Sequence, residues 1–107
     1  MARLNSRDKG RRAESEAAKL LIDLGWEIVE LGPGRQTEDI LAVDPNGVKF
    51  SVEVKNRVVW DLRAFRRQAK EQAARRGTGW LLMVRIPGMP GKFYVEGSWD
   101  EPGVWSA

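Results

Sequence analysis

Glu53 and Lys55 stand one residue apart in this sequence and are its strongest candidates for a reactive site. In the segment 48–55, apolar residues occupy every second position, which predicts a strand with one buried face. Glu53 and Lys55 then project together from the opposite face. A carboxylate and an ammonium group facing one pocket, with a second acid nearby, is what metal-assisted cleavage of a phosphodiester requires. A lone Glu-x-Lys pair is more often part of a solvated strand surface. The surrounding elements therefore decide whether this pair belongs to a reactive site.

A hairpin is predicted to bring Asp39 to this pair. The tetrad Asp-Pro-Asn-Gly at 44–47 predicts a tight turn, because Asn-Gly favours the positive φ angles that such turns need. It joins a predicted strand at 37–43, which carries Asp39, to the strand at 48–55. Asp39 and Glu53 lie at comparable distances from the turn, so their carboxylates should be close across an antiparallel ladder. Two carboxylates this close repel unless a divalent cation lies between them, and Mg²⁺ prefers such oxygen ligands.

The first helix is predicted at 12–24, where apolar residues recur at helical spacing before Gly25. Two acids lie at the borders of its apolar stripe, Glu14 about 70° from the centre and Glu16 about 90° away on the other side. A border carboxylate either faces a pocket between helix and sheet or merely solvates the helix, so the periodicity leaves both acids open. The stripe comprises Ala13, Ala17, Leu20, Leu21 and Leu24.

The remaining elements complete a small α/β domain. We expect strands at 26–31 and 80–86, a loop at 32–36, and a helix at 61–76 that Asp61 caps and Gly77 ends. The nearly continuous apolar run at 80–86 predicts a strand covered on both faces. A short edge strand is expected at 92–95, with an irregular tail after Gly97. The prediction is one domain of order α-β-β-β-α-β, with a flexible basic arm at 1–11, a core at 12–86 and a C-terminal extension at 87–107.

Composition narrows the chemistry further. The 107 residues contain no cysteine and no histidine, which excludes disulfides, thiolate or imidazole metal sites and histidine bases. Catalysis would therefore rest on carboxylates, lysine and hard cations. No apolar stretch approaches the roughly 18 residues of a membrane span, and no signal-peptide core follows the basic N-terminus, so we expect a cytoplasmic protein. The net charge is only +3, but two basic clusters bracket the acidic motif, which suits a polyanion such as nucleic acid.

In this order of elements, Glu14, Asp39 and Glu53-Val54-Lys55 resemble the PD-(D/E)xK nuclease superfamily. The opening of the chain is more specifically similar to that of the archaeal-type (Hjc-like) Holliday junction resolvases. Those begin with a Lys-Gly pair, a helix that bears the first catalytic Glu, and a Gly-aromatic start to the first strand. The resemblance runs from about residue 9 to residue 86, and the compact chain would suit a phage or another mobile element. It rests on Lys9–Glu16, Leu20-Leu21 and Gly25–Val29.

The resemblance implies a restriction-endonuclease-like fold, in which helices flank a central mixed β-sheet, and it assigns roles. It favours Glu14 above Glu16 as the first acid. It makes Asp39 and Glu53 metal ligands, with Glu14 binding directly or through water, and it makes Lys55 the catalytic lysine. It also implies Mg²⁺ as cofactor, with Mn²⁺ as a substitute. The expected protein is a homodimer that cuts opposing strands of a four-way DNA junction symmetrically, in DNA recombination and repair.

Two departures from the family pattern bear on the site. Glu38 precedes Asp39 where the superfamily's name has proline, which is a tolerated variation. The loop at 32–35 has no serine to supply the hydroxyl expected there, and Arg35 is a candidate to contact phosphate instead. Many of these sites also take a polar residue from the second helix. Gln68 is the candidate for that position, and Gln72 competes with it.

Basic residues are expected to hold DNA through its phosphates, which bind without reading sequence. Two alternatives stay open: another nuclease of the superfamily, of repair, restriction or nicking type, and a DNA-binding module that does not cleave. The five tryptophans, with Trp99 and Trp105 in the tail, are expected in the core or at a subunit interface, with base stacking as the alternative. The expected DNA-binding residues are Arg7, Lys9, Arg11, Arg12, Arg35, Arg57, Arg63, Arg66, Arg67 and Lys70.

Overall fold

A computed structural model describes residues 6–31, 39–98 and 101–106, with the side chains of the first helix described from Arg11 onward. Two helices and six strands follow one another along the chain. They are α1 (Ser6–Asp23), β1 (Glu27–Leu31), β2 (Ile40–Val43), β3 (Lys49–Lys55), α2 (Leu62–Arg76), β4 (Gly79–Arg85), β5 (Lys92–Gly97) and β6 (Gly103–Ser106).

The strands form one mixed sheet in which spatial order follows chain order, β1-β2-β3-β4-β5-β6. Neighbouring strands are antiparallel except β3 and β4, which are parallel and are joined by α2. A parallel pair needs such a crossover because the chain must return to the end of the sheet at which it began. The predicted α/β class, with a central mixed sheet and flanking helices, is confirmed.

The β2–β3 hairpin has the predicted turn. The Asp44 side chain accepts hydrogen bonds from the backbone N–H groups of Asn46 (2.9 Å) and Val48 (2.8 Å), and Gly47 has a φ of +87°. Ile40 pairs with Val52, so Asp39 falls opposite Glu53. The expected strand at 37–43 begins only at Ile40, however. Asp39 precedes it, and residues 32–38 lie outside the described part of the chain.

The two helices cover opposite faces of the sheet. On one face, the small residues of α1 pack against Val52, Val54 and their neighbours. On the other face, Phe65 and Ala69 of α2 pack against β4. The expectation that β3 has a single buried face is therefore wrong: Ser51 and Glu53 are 1% and 3% exposed, on the side that α2 covers.

Helix α2 matches its prediction, and α1 does so only in part. The Asp61 side chain accepts a hydrogen bond from the Ala64 N–H at 3.1 Å, and Gly77 ends the helix at a φ of 69°. Helix α1, in contrast, begins at Ser6 rather than at residue 12. The expected arm at 1–11 is thus wrong for residues 6–11, because a polar stretch carries no apolar period to mark a helix. Residues 1–5 are outside the described ranges.

The C-terminal segment belongs to the sheet. The strand expected at 92–95 is present as β5, but it is not at the edge, and the irregular tail predicted after Gly97 is wrong because β6 pairs with β5. Strand β5 lies between β4 and β6, and its Phe93 and Val95 are fully buried in the core against α1. Trp105 of β6 lies 6.3 Å from Trp26, measured between ring centroids, and closes the end of that core. Trp99 is outside the described residues. Within the described ranges, neither helix is long and apolar enough to cross a membrane.

Candidate active site

Asp39 lies immediately before β2, where acids from the two sides of the sheet meet. Its Oδ2 accepts a hydrogen bond from the Val54 N–H at 2.8 Å, which fixes the carboxylate against β3. Glu14 of α1 reaches it from one side and forms a hydrogen bond with it. Glu53 lies opposite Asp39 across the hairpin and is close enough for their charges to interact. The fold therefore brings all three predicted acids together.

Lys55, the last residue of β3, is held in place by three neighbours. Its Nζ donates a hydrogen bond to Oε1 of Gln68 at 2.7 Å and lies 3.5 Å from Oε2 of Glu53. The same ammonium group lies 5.5 Å from the centroid of the Phe65 ring. Only 12% of the Lys55 side chain is exposed, so the contacts with α2 restrict an otherwise flexible chain. Of the two glutamines predicted as candidates, Gln68 is the one that contacts the lysine.

The carboxyl groups have raised pKa values. Burial raises the pKa of Glu14 to about 7, aided by the charge of Asp39 and the hydrogen bond to it and opposed by Arg11. Burial likewise raises the pKa of Glu53 to about 7, aided by the charge of Asp39 and opposed by Lys55. Burial also raises the pKa of Asp39, although the Val54 N–H and Lys55 favour its ionised form. One buried and two half-buried carboxyl groups this close together do not all ionise readily without a cation to offset their charges.

The donors at this site suit a hard divalent cation. Glu53 Oε1 is buried and has no hydrogen-bond partner among the residues that the structure describes. An unsatisfied buried oxygen is unfavourable by roughly 1–3 kcal/mol, and a bound cation would satisfy it. As the described side chains stand, no three acidic residues form a group that could hold a metal ion. The Glu14–Asp39 hydrogen bond would have to break for all three carboxylates to face one ion.

Glu16, the competing acid on α1, does a different job. Its Oε1 accepts hydrogen bonds from Arg85 Nε at 3.0 Å and from the Gly91 N–H at 2.7 Å. These bonds connect α1 to the end of β4 and to the turn before β5. Because Glu14 and Glu16 lie about 160° apart around the helix, this tie on one side fixes the rotation that turns Glu14 towards Asp39.

Arg66 and Lys70, two of the basic residues of α2, lie on the side of the helix away from Lys55. Arg66 and Lys70 are each about 160° around the helix from Gln68. Lys70 Nζ lies 5.5 Å from the centroid of the Trp80 ring. A cavity of about 430 Å³ lies on this flank, and its walls are Arg63, Arg66, Arg67, Lys70 and Glu71.

Arg66 binds a buried carboxylate that the sequence did not reveal. Its guanidinium forms a two-pronged ion pair with Glu96 of β5, which also accepts a hydrogen bond from the Tyr94 hydroxyl. Burial alone would raise the pKa of Glu96, but these hydrogen bonds lower it below its ordinary value. Arg66 is thus first a structural residue. The alternation in Phe93-Tyr94-Val95-Glu96 indicated the strand, but nothing local indicated that Glu96 is buried.

The other predicted cations are exposed or fall outside the description. Arg11 and Arg12 are exposed on α1, and the charge of Arg11 reaches Glu14. Arg57 is exposed just after β3, and its charge reaches Asp39. Nothing is described of Arg35 or of the side chains of Arg7 and Lys9.

Fold and site together define a class: an α/β domain in which Glu14 of α1, Asp39 just before β2, and Glu53 and Lys55 of β3 lie together at the open end of the β2–β3 hairpin. No protein-family model and no curated protein matches the chain by sequence. Among solved structures, the chain is similar to Hjc of Archaeoglobus fulgidus, described as a Holliday junction resolvase from an archaeal hyperthermophile. The match covers 77% of this chain and 70% of that chain, at 17% sequence identity and a TM-score of 0.56. The two proteins share a fold, as the sequence resemblance predicted.

Proposed function

We propose that this protein is a structure-selective, metal-dependent DNA endonuclease that resolves four-way junctions by paired symmetric nicks. One observation carries the proposal: Glu14, Asp39, Glu53 and Lys55, which come from three separate elements, meet at one site, with Lys55 held by Gln68. A solvated surface would not bury these groups or raise the pKa of two glutamates to about 7. The junction as substrate is supported by the shared fold with Hjc.

The proposed cofactor is Mg²⁺, with Mn²⁺ as a substitute. Asp39 and Glu53 would be its protein ligands, and Glu14 would bind it directly or through water. The unpartnered Glu53 Oε1 supports this assignment, because it is an oxygen donor with no other function among the described residues. When bound, such an ion polarises the scissile phosphate and lowers the pKa of an attacking water.

Lys55 is proposed as the group that stabilises charge on the reacting phosphate. An ammonium group has three donors. One is directed to Gln68 and a second to Glu53, which leaves the third for a phosphate oxygen or the attacking water. Because the first two contacts fix the direction of the third, the lysine needs little reorganisation as negative charge develops. Gln68 is accordingly a positioning residue.

Arg57 and the exposed cations of α1 and α2 are proposed to hold the DNA backbone. Arg57 lies beside the acids, whereas Arg63, Arg67 and Lys70 lie across α2 from them. Cations on both sides of the site would contact more than one segment of backbone, as a branched substrate offers. A homodimer is proposed because two symmetric nicks require two sites.

A substrate panel tests the proposal. The protein is incubated with a four-way junction, a linear duplex of the same sequence and a single strand, each with Mg²⁺ or with EDTA. Paired symmetric nicks on the junction alone, only in Mg²⁺, are expected. Equal cutting of linear duplex would favour a nuclease of repair, restriction or nicking type. Tight junction binding with no cleavage in Mg²⁺ would mean a binding module.

A further inference from the structure

The connection between β3 and α2 exposes two neighbouring valines beside the proposed site. Val58 and Val59 are 79% and 83% exposed, more than any other large apolar side chain in the described ranges; the next is Val104 at 58%. A single exposed valine is ordinary. Two in succession, three and four residues after Lys55, form an exposed apolar tip close along the chain to the proposed site.

The base of this tip is fixed. The Trp60 indole N–H donates a hydrogen bond to the Arg57 carbonyl at 2.9 Å, which closes the chain around the two valines. The Trp60 ring packs on Tyr94, with 5.8 Å between centroids, and joins the core beneath α2. The Asp61 cap then fixes the start of the helix. The valines therefore project from an anchored loop, so their exposure is built into the fold.

The charges around the tip indicate what it contacts. Arg57 precedes the valines and Arg63 follows them, while the carboxylate of Asp61 is turned to the helix N-terminus. A second copy docking here about a two-fold axis would bring the two Arg57 side chains, and the two Arg63 side chains, towards each other. Nucleic acid would not repel the arginines, because it offers phosphates to them and apolar base faces to the valines.

We propose that Val58 and Val59 form an apolar wedge that inserts among the bases at the branch point of bound DNA. This deepens the proposed function and depends on it. Apolar side chains that enter a base stack unstack it at a cost of a few kcal/mol. That cost is least where stacking is already broken, so the wedge would favour branched over continuous duplex.

Fluorescence of 2-aminopurine at the branch point tests the wedge without cleavage. In EDTA, binding of the wild type should raise the fluorescence, because the base becomes unstacked. Val58→Ser with Val59→Ser should still bind the junction but lose most of this rise. The same pair changed to leucine should keep it. Val48→Ser is the matched control, because Val48 is 50% exposed and lies at the other end of β3, roughly 20 Å away.

Cleavage gives a second readout. In Mg²⁺, the double serine variant should cut the junction about tenfold more slowly, equivalent to roughly 1.4 kcal/mol, with no change for the Val48 variant. Should the serine pair reduce folding, Val58→Thr with Val59→Thr preserves the shape and tests the same polarity change. Full fluorescence and full cleavage in the double variant would overturn the wedge alone. A dimeric wild type that becomes monomeric on this substitution would place the valines at a subunit interface instead. A wild type that binds no DNA would overturn the wedge and the proposed function together.

Discussion

Glu53→Gln should remove a pH dependence of stability that the folded site creates. The metal-free folded protein holds the proton of Glu53 up to a pKa of about 7, whereas the unfolded chain releases it near 4.5. Between these values the folded state binds more protons than the unfolded state. The free energy of unfolding therefore falls as pH rises through this window, and stability is lost, not gained, above it. The glutamine variant has no proton to release at position 53, whereas Glu14 still holds its own up to a pKa of about 7 in both proteins.

The size of the effect follows from burial. The pKa rises from 4.5 to about 7, a difference of about 2.5. At about 1.4 kcal/mol per pH unit, this difference corresponds to roughly 3 kcal/mol. Glu53 is 3% exposed, so solvent screens this effect little. The stability of the wild type relative to Glu53→Gln should thus fall by roughly 3 kcal/mol between pH 4 and pH 8. Comparing the two proteins cancels the pH dependence of stability that most other ionisable groups contribute, that of Glu96 included.

Urea unfolding of both proteins in EDTA, followed by tryptophan fluorescence at several pH values, measures this difference directly. Repeating the series in Mg²⁺ should restore the wild type at pH 8 and leave Glu53→Gln unchanged, since the ion would bind the ionised carboxylate. Parallel pH profiles for the two proteins would refute the reasoning, because they would mean that Glu53 ionises normally in the folded state.

Three further predictions concern other residues. Gln68→Leu should lower kcat about tenfold or more with little change in KM, because Lys55 loses its positioning partner, and steady-state cleavage kinetics measure this, with an unchanged kcat contradicting the role. Glu16→Ala should lower the free energy of unfolding by about 1–2 kcal/mol and reduce cleavage only modestly at low temperature, because the packed face of α1 still directs Glu14 towards Asp39. Glu14→Gln should abolish cleavage without that destabilisation; urea unfolding beside a cleavage assay separates the two variants, and equal activity in both would contradict the role of Glu14. Arg67→Ala with Lys70→Ala should reduce the slope of log affinity against log salt by about 2. Arg75→Ala should reduce it by no more than about half as much, and an unchanged slope for the pair would mean that this flank does not contact DNA.

The elements with local punctuation were predictable from the sequence. The β2–β3 turn follows from Asn46-Gly47, and α2 is bounded by Asp61 and Gly77. Asp39 and Glu53 could be matched across the hairpin because a tight turn fixes the register of the strands that it joins. Where one residue type determines a backbone conformation, the sequence alone carries the information.

What was missed depends on contacts between distant parts of the chain. Glu96 is buried because Arg66, thirty residues earlier, folds over it, and no local pattern reveals such a pair. Strand β6 alternates weakly and is stabilised by pairing with β5. The contact between Lys55 and Gln68 likewise requires α2 to lie over β3, so the sequence could rank Gln68 as a candidate without choosing it over Gln72.

Lys55 and the acids around it are proposed to form a metal-dependent cleavage site. A matched pair of lysines in one strand gives the sharpest test of this proposal. Lys49 and Lys55 bound β3, but Lys49 is exposed at the end away from the acids. Cleavage of a four-way junction in Mg²⁺ is measured for Lys55→Ala and Lys49→Ala, with binding followed separately in EDTA. Lys49→Ala should cut like the wild type, and Lys55→Ala should bind the junction but cut it at least about 100-fold more slowly. Normal cleavage by Lys55→Ala, or equal losses in both variants, would contradict it.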